Sequence, residues 1–345
     1  MGLGIAFFLI KARRNYLALP RIETVASHPI PELSVVIPAR NEERTIARAV
    51  LSFPGMPVAV VDDDSQDRTA ELARAAGAVV IPAPPLDMGM LGKPNACLAG
   101  ARASDSAWIL FVDADTWYEP QFLPSLFHYV EKQDLSAASV FLRQERITFF
   151  EGLLLPYAFA LYFCGVDGHA VNNPKSPEAL ANGQCMLFRR DAYEFINGHR
   201  AVTNSVIEDV ALARILKRHR IKSAVLRAEQ LGSVRMYDSF GAIWRGFQKN
   251  SFRFLLVNPW SGLQVVLASI LLTSYLPVLV WLIATRHYPS AAAFALLPTA
   301  ALLPWYGSAS ALLAPAAIYV FQLIALNGML STVFGRKAVW KGRRV

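Results

Sequence analysis

Charge is almost missing from the last third of the sequence: from residue 254 to residue 335 the only formally charged side chain is Arg286, whereas residues 32–235 carry mixed charge. That absence excludes an ordinary water-facing surface for the C-terminal third and makes it membrane material. Cysteine is scarce. Cys97, Cys164 and Cys185 are odd in number and lack metal-ligand spacing, so they are read as buried small hydrophobes in a reducing setting. No G-x-G-x-x-G follows a strand-like run and no G-x-x-x-x-G-K-[ST] occurs, which removes the usual dinucleotide and phosphate-loop readings. Residues 1–10 (MGLGIAFFLI) have no small-residue cleavage site after them and are not read as a signal peptide. They are too short to cross a bilayer alone, and a truncated anchor or an interfacial plug is expected.

What is present sorts by region. Hydrophobic residues make up 54% of the chain, above the roughly 45–50% of soluble domains. Residues 261–285 form an uncharged run longer than the roughly 20 residues a membrane-crossing helix needs, and residues 311–333 form a second. Residues 289–306, with Pro298 and Pro304, suit either a short span or a re-entrant hairpin. The cluster Lys11, Arg13, Arg14 and the tail Lys337, Lys341, Arg343, Arg344 are expected on the cytoplasmic side. Two C-terminal spans satisfy that rule and three do not, so the parity stays open. The net charge of +8 gathers beside apolar segments, which points to anionic lipid rather than nucleic acid.

Two further segments read as interfacial. Phe240, Ile243, Trp244, Phe247, Phe254 and Leu255 alternate at helical spacing with Arg245, Lys249 and Arg253, the pattern of a helix lying on a membrane. Residues 147–166 are apolar but interrupted by Glu151 and Pro156, and are expected as an interfacial helix and acceptor-groove wall. The expected organisation is a membrane-proximal segment (1–31), an α/β domain (32–235), an interfacial segment (236–260), a transmembrane region (261–335) and a basic cytoplasmic tail (336–345). That places a multi-pass protein in the cell membrane, its α/β domain in the cytoplasm.

Within 32–235 short β-rich runs (33–38, 58–61, 79–81, and WILFVDAD at 108–115, ending in carboxylates) alternate with helical stretches near 41–53, 69–76 and 94–103, implying a mostly parallel sheet covered by helices. Ligands bind such sheets beyond the carboxyl ends of the strands. Asp62, Asp63 and Asp64 follow one strand directly, and Asp113 and Asp115 follow another. Acids gathered at one sheet edge would repel each other unless cations joined them. The D-A-D spacing suits Mg²⁺ or Mn²⁺ shared with substrate phosphates, and Lys93 stands between the two clusters in a G-K-P-N turn.

The runs SVVIPARNEE (34–43), VDDDSQDRT (61–69), GKPNACLAG (92–100), FVDAD (111–115), NGQCMLFRRDAYEFINGH (182–199) and IEDVALARIL (207–216) together resemble glycosyltransferase family 2. The resemblance implies a GT-A fold, a nucleotide-diphospho-sugar donor and inversion at the anomeric carbon. Position by position, it makes Pro38, Ala39, Arg40, Glu42, Asp62, Asp64, Lys93 and Asp113 donor-binding residues, with Asp64 near the uracil and Asp115 on the metal. Gly183, Gln184 and Glu208 fall beside the sugar and acceptor, and Asp209 matches the general base. His199 is a weaker carry-over. The base assignment also has its own rationale, because inversion needs a carboxylate on the face opposite the leaving diphosphate, on a separate element.

The chain departs from the processive members of the family, which carry [QR]-x-x-R-W after the base. Here YDSFGAIWRGFQKNSFRF (237–254) has Trp244-Arg245 in reverse order, so a long polysaccharide product is not expected. Motifs followed by apolar spans most resemble the bacterial carotenoid and hopanoid glycosyltransferases, implying a lipid-like acceptor and UDP-glucose as donor. A polyprenyl phosphate or diacylglycerol acceptor stays open, as does a non-catalytic sugar-nucleotide scaffold. A nucleotidyltransferase, the other enzyme class with metal-binding acids on such a sheet, would lack a base like Asp209.

Overall fold

A computed structural model of the chain describes residues 1–87, 89–257, 259–334, 339–340 and 343–344. The tail residues Lys337 and Lys341 lie outside the described residues, as do the side chains of Arg343, Arg344, Lys249, Arg253, Phe254 and Leu255. The chain forms two compact units: residues 19–145 with 170–236, and residues 1–18 with 146–169 and 237–345. Composition draws its boundaries at 31, 235, 260 and 335. Contacts draw them elsewhere because apolar segments far apart in sequence pack on one another.

The first unit is an α/β sandwich. Its strands are β1 (Leu33–Ala39), β2 (Val58–Asp62), β3 (Val79–Pro82), β4 (Trp108–Val112), β5 (Thr116–Tyr118), β6 (Ala137–Phe141), β7 (Arg143–Gln144), β8 (Cys185–Arg189), β9 (Ser223–Arg227) and β10 (Gly232–Val234). Seven make one sheet in the order β3-β2-β1-β4-β8-β6-β9, and β5-β10-β7 make a smaller one. Period-two alternation splits the core into two layers. Val35, Ile37, Leu110 and Val112 pack on one face with Phe122 and Leu126, while Val36, Ile109 and Phe111 pack on the other with Phe188, Tyr193 and Leu212.

Topology brings the polar segments together. β1 runs parallel to β2 and β4, so Ala39, Asp62 and Asp113 finish at one edge. β8 runs antiparallel to both β4 and β6, against the otherwise parallel grain. Because it is reversed, its start lies at that same edge, with Cys185 opposite Val112, and the Asn182-Gly183-Gln184 turn arrives beside Asp113. The Gly92–Arg102 helix that carries Lys93 lies close on β1. A Cβ at Gly100 would come 2.3 Å from Val36 Cγ1, so glycine is required there.

The second unit is helical. Its centre is the Phe149–Gly165 helix, against which the helices Gly2–Ala18, Pro259–Thr273, Tyr288–Tyr306 and Ala314–Val333 pack. This helix is apolar on all sides, as an enclosed helix must be, with Leu154, Tyr157 and Phe163 fully buried. It is a hub within its unit rather than a one-sided interfacial helix. Glu151 does not interrupt it; Glu151 and Thr148 form the capping box of its first turn, satisfying orphan amides. The N-terminal helix runs through the basic cluster to Ala18, since Lys and Arg are good helix formers, and buries Ile5, Leu9, Ala12 and Asn15 on one side.

Two helices, Pro259–Ala284 and Ala309–Ser331, are long and apolar enough to cross a membrane. Only 17% of the first is buried within the protein, leaving Trp260, Leu263, Ile270 and Val280 exposed. The segment with Pro298 and Pro304 is one helix, Tyr288–Tyr306.

Candidate active site

The cleft sits where β1, β4 and the turn before β8 meet. It is small, and is lined by Pro38, Lys93, Asp113, Gly183, His199 and Glu208, among others. Lys93 is its hub. Its Nζ lies 2.7 Å from Asp113 Oδ1 and 3.2 Å from Glu208 Oε1, and donates to the Gly183 carbonyl at 3.3 Å. Burial works against the ammonium, but Asp113 and Glu208 hold it well above the usual lysine range. One cation therefore ties the D-A-D acid to the acid pair that opens the Glu208–Arg218 helix.

Asp209 is part-buried next to this hub. Its Oδ2 accepts from Gly183 N at 2.8 Å and its Oδ1 from Val210 N at 2.8 Å. Burial and then the Glu208 carboxylate raise its carboxyl to about 6, against the opposing pull of Lys93 and the two amides. Gly183 makes the crowding possible. A Cβ there would lie 3.1 Å from Lys93 Nζ and 3.3 Å from Asp209 Oδ2.

The strand end beneath is pinned by its backbone. Asp113 N donates to Gln184 O at 3.1 Å, and Thr116 Oγ1 donates to Asp113 O at 2.7 Å. The Asp115 carbonyl accepts from Arg235 N at 3.0 Å. Among the described residues no group of three or more His, Cys, Asp or Glu side chains is gathered for a metal ion. Asp113 and Asp115 offer hard carboxylate oxygens at the mouth of the strand, the donor type that suits Mg²⁺ or Mn²⁺ when phosphates complete the coordination.

The other expected donor residues occupy a neighbouring pair of loops. Asn41 and Asp64 adopt left-handed backbone, φ 53° and 60°, which Asn and Asp tolerate better than most residues. Glu42 N donates to Thr69 Oγ1 at 2.7 Å and Gln66 N to Asn41 Oδ1 at 2.8 Å. Arg40 donates to the Asp63 carbonyl, and its Nη1 lies 3.5 Å from Asp64 Oδ2. Asp62 Oδ1 is buried and has no hydrogen-bond partner among the described residues. Pro38, Lys93, Asp113, Gly183 and Glu208 thus line one cleft, with Asp209 and Gln184 bonded to its wall, while Arg40, Glu42 and Asp64 belong to the adjoining loops.

Residues 34–196 match the profile of glycosyl transferase family 2. That stretch, a little under half of the chain, is similar to glycosyl transferase family 2. The domain's fold is GT-A-like, a mixed sheet flanked by helices. A mannosyltransferase of Pyrobaculum calidifontis, solved with GDP-Man and Mn²⁺, shares the fold at a TM-score of 0.52 and 16% identity, over 98% of this chain and 100% of that one. Among relatives by sequence, the 4,4'-diaponeurosporenoate glycosyltransferase of Staphylococcus haemolyticus (strain JCSC1435) is 29% identical over 228 residues. The enzyme of the same name from Staphylococcus aureus (strain USA300) is 26% identical over 227 residues. Each match covers 63% of this chain and 60% of the relative.

Residue reading missed the double bridge of Lys93 and singled out neither Asn182 nor Gln144, whose side-chain amides bond to Gln184. Asn182 stands inside a recognised run, so its position was visible. Gln144, on a two-residue strand, had no signal at all. His199 stacks edge-on against Phe111 at 4.7 Å and bonds Tyr193 Oη at 2.9 Å. Burial and then Lys93 lower its imidazole to about 3, so it is neutral at physiological pH.

Proposed function

We propose that this family 2 glycosyltransferase moves a sugar, with inversion, from a nucleoside diphosphate to a lipid-like acceptor at the membrane. UDP-glucose is the donor and a carotenoid-type polyisoprenoid the acceptor. The observation that carries this reading is the Lys93–Asp113–Glu208–Asp209 cluster: a donor-side acid and a base poised at about 6 share one cleft. The relatives named for 4,4'-diaponeurosporenoate favour a carotenoid acceptor over a hopanoid, diacylglycerol or polyprenyl phosphate.

In this reading Asp209 removes the proton of a hydroxyl acceptor while the acceptor oxygen bonds to the anomeric carbon and the anomeric carbon–diphosphate bond breaks; a carboxylate acceptor, of the kind in the relatives' name, is already ionised and would attack without that proton transfer. The amides of Gly183 and Val210 orient its two oxygens, and Lys93 places positive charge beside the departing phosphates. Asp113 and Asp115 are the residues that would hold Mg²⁺ or Mn²⁺, with Asp115 as the principal ligand. Bound there, the ion would neutralise charge developing on the diphosphate. The apolar helical unit would keep the enzyme in the cell membrane as a multi-pass protein, its catalytic domain cytoplasmic, where such acceptors dissolve.

Product stereochemistry tests the mechanism. From α-linked UDP-glucose and a hydroxylated polyisoprenoid, the product should be a β-glucoside by its anomeric proton coupling in NMR. An α-glucoside would overturn direct inversion.

A further inference from the structure

Strand β6 reads Ala137-Ala138-Ser139-Val140-Phe141, and every one of these residues is buried. Ala138 and Val140 belong to one core layer and Ala137 to the other, so period-two alternation puts Ser139 on the side of Ala137, Ile109 and Phe111. A hydroxyl on that apolar side is costly unless it is hydrogen-bonded. Ser139, 5% exposed, is bonded twice, both times to the backbone of one residue. Its Oγ accepts from Asn182 N at 2.7 Å and donates to Asn182 O at 3.1 Å.

The second of those bonds reaches Asp209. Asn182 O and Gly183 N are the two polar ends of one peptide unit, which is planar and points them in opposite directions. Ser139 holds the oxygen end, and the nitrogen end donates to Asp209 Oδ2 at 2.8 Å. Each bond polarises the peptide in the sense that strengthens the other. The next peptide is held from its own side, the Gly183 carbonyl accepting from Lys93 Nζ at 3.3 Å. A path of two hydrogen bonds and one peptide thus joins the sheet to the first turn of the Glu208–Arg218 helix.

We infer that Ser139 is a positioning residue for Asp209: its hydroxyl fixes the Asn182–Gly183 peptide so that the Gly183 amide stays aimed at that carboxylate. This rests on the proposed role of Asp209 toward hydroxyl acceptors, but it concerns what holds the base and not which sugar or acceptor is used. The charged groups around Asp209 are Glu208 on its own helix, Lys93 from the Gly92–Arg102 helix and, across Lys93, Asp113. His199 in the same cleft is neutral. Glu208 repels the Asp209 carboxylate, whereas Lys93 and the amides of Val210 and Gly183 stabilise it. Loosening the Gly183 amide removes a bond from the ionised form alone, so protonation moves to higher pH.

The test is carboxyl ¹³C NMR of the full chain in detergent, labelled at aspartate, with the Asp209 resonance assigned by its loss in Asp209→Asn. In the wild type that resonance should titrate at about 6. In Ser139→Ala the midpoint should rise by about one pH unit, the scale of one lost hydrogen bond to a charged group. Ser139→Thr keeps the hydroxyl and should restore the wild-type midpoint. Should the alanine variant not stay folded, Ser139→Cys, close in size and a weaker hydrogen-bonding group, should show the same upward shift. An unmoved midpoint in the folded alanine or cysteine variant, or an equal rise in Ser139→Thr and Ser139→Ala, would overturn the inference. Because the titration is read without turnover, a wild type with this midpoint that transfers nothing to any acceptor would sink the transferase reading while leaving this one standing.

Discussion

Asp209 and Gly183 are where single atoms decide the chemistry. We expect Asp209→Asn to lower transfer to hydroxyl acceptors by about 10²-fold or more, the scale of general-base catalysis, with UDP affinity kept within twofold. Equal loss of both would remove the base assignment. The pH profile follows from the same carboxyl. With Asp209 raised to about 6, it is ionised and competent above that pH and protonated below it, so kcat should fall tenfold per pH unit on the acid side of about 6. An acid limb near 4, the ordinary range of an aspartate, would contradict the burial and Glu208 repulsion that raise it. Gly183→Ala should separate Lys93 from Asp209, since the new Cβ would press on both; the expected result is lost activity with an unchanged Tm. These residues were partly legible. Asp113, Asp115 and Asp209 announced themselves by acids after strands and at a helix start, but that Lys93 joins residues 113, 183 and 208 is a product of folding that no local spacing contains.

Elements show the same division between local and long-range information. β1, β2 and β4 were readable because short apolar runs lead directly into polar clusters, and β3 because its apolar run stands between a helical stretch and a Pro-rich loop. The two- and three-residue strands β5, β7 and β10 carry too little pattern to stand out, yet their sheet places Gln144 near the site. The reversal of β8 was hidden too, because an antiparallel strand and a parallel one share a hydrophobic pattern. Residues 147–166 read as interfacial because composition cannot say how many neighbours a helix has; packing against other helices is what encloses the Phe149–Gly165 helix. The fit of the Lys93 helix on β1 is testable. Gly100→Val should lower stability by about 1–3 kcal/mol, the cost of overpacking, and depress Tm, because its side chain would overlap Val36. A variant with wild-type Tm would mean that helix is not seated as described.

For the whole molecule, the consequential division is between an α/β unit that carries the acids and a helical unit whose outer surface is apolar. The membrane reading began from a lack of charge between residues 254 and 335, and two helices of sufficient length and hydropathy agree with it. Their outward Trp, Leu, Ile and Val side chains should keep the full chain with lipid vesicles through high-salt and alkaline-carbonate washes, and release it only in detergent. Release by carbonate alone would make the attachment peripheral. The central claim, a sugar moved from a nucleoside diphosphate to a lipid-like acceptor, is tested most directly by nucleoside diphosphate release from the detergent-solubilised full chain. It would be supplied with a panel of nucleotide sugars, Mg²⁺ or Mn²⁺ and polyisoprenoid acceptors, with and without chelator. UDP release that rises with one acceptor and stops with chelator is the expected result. UDP binding without release, whatever the donor, acceptor and metal, would contradict the claim and leave a sugar-nucleotide-binding scaffold in its place.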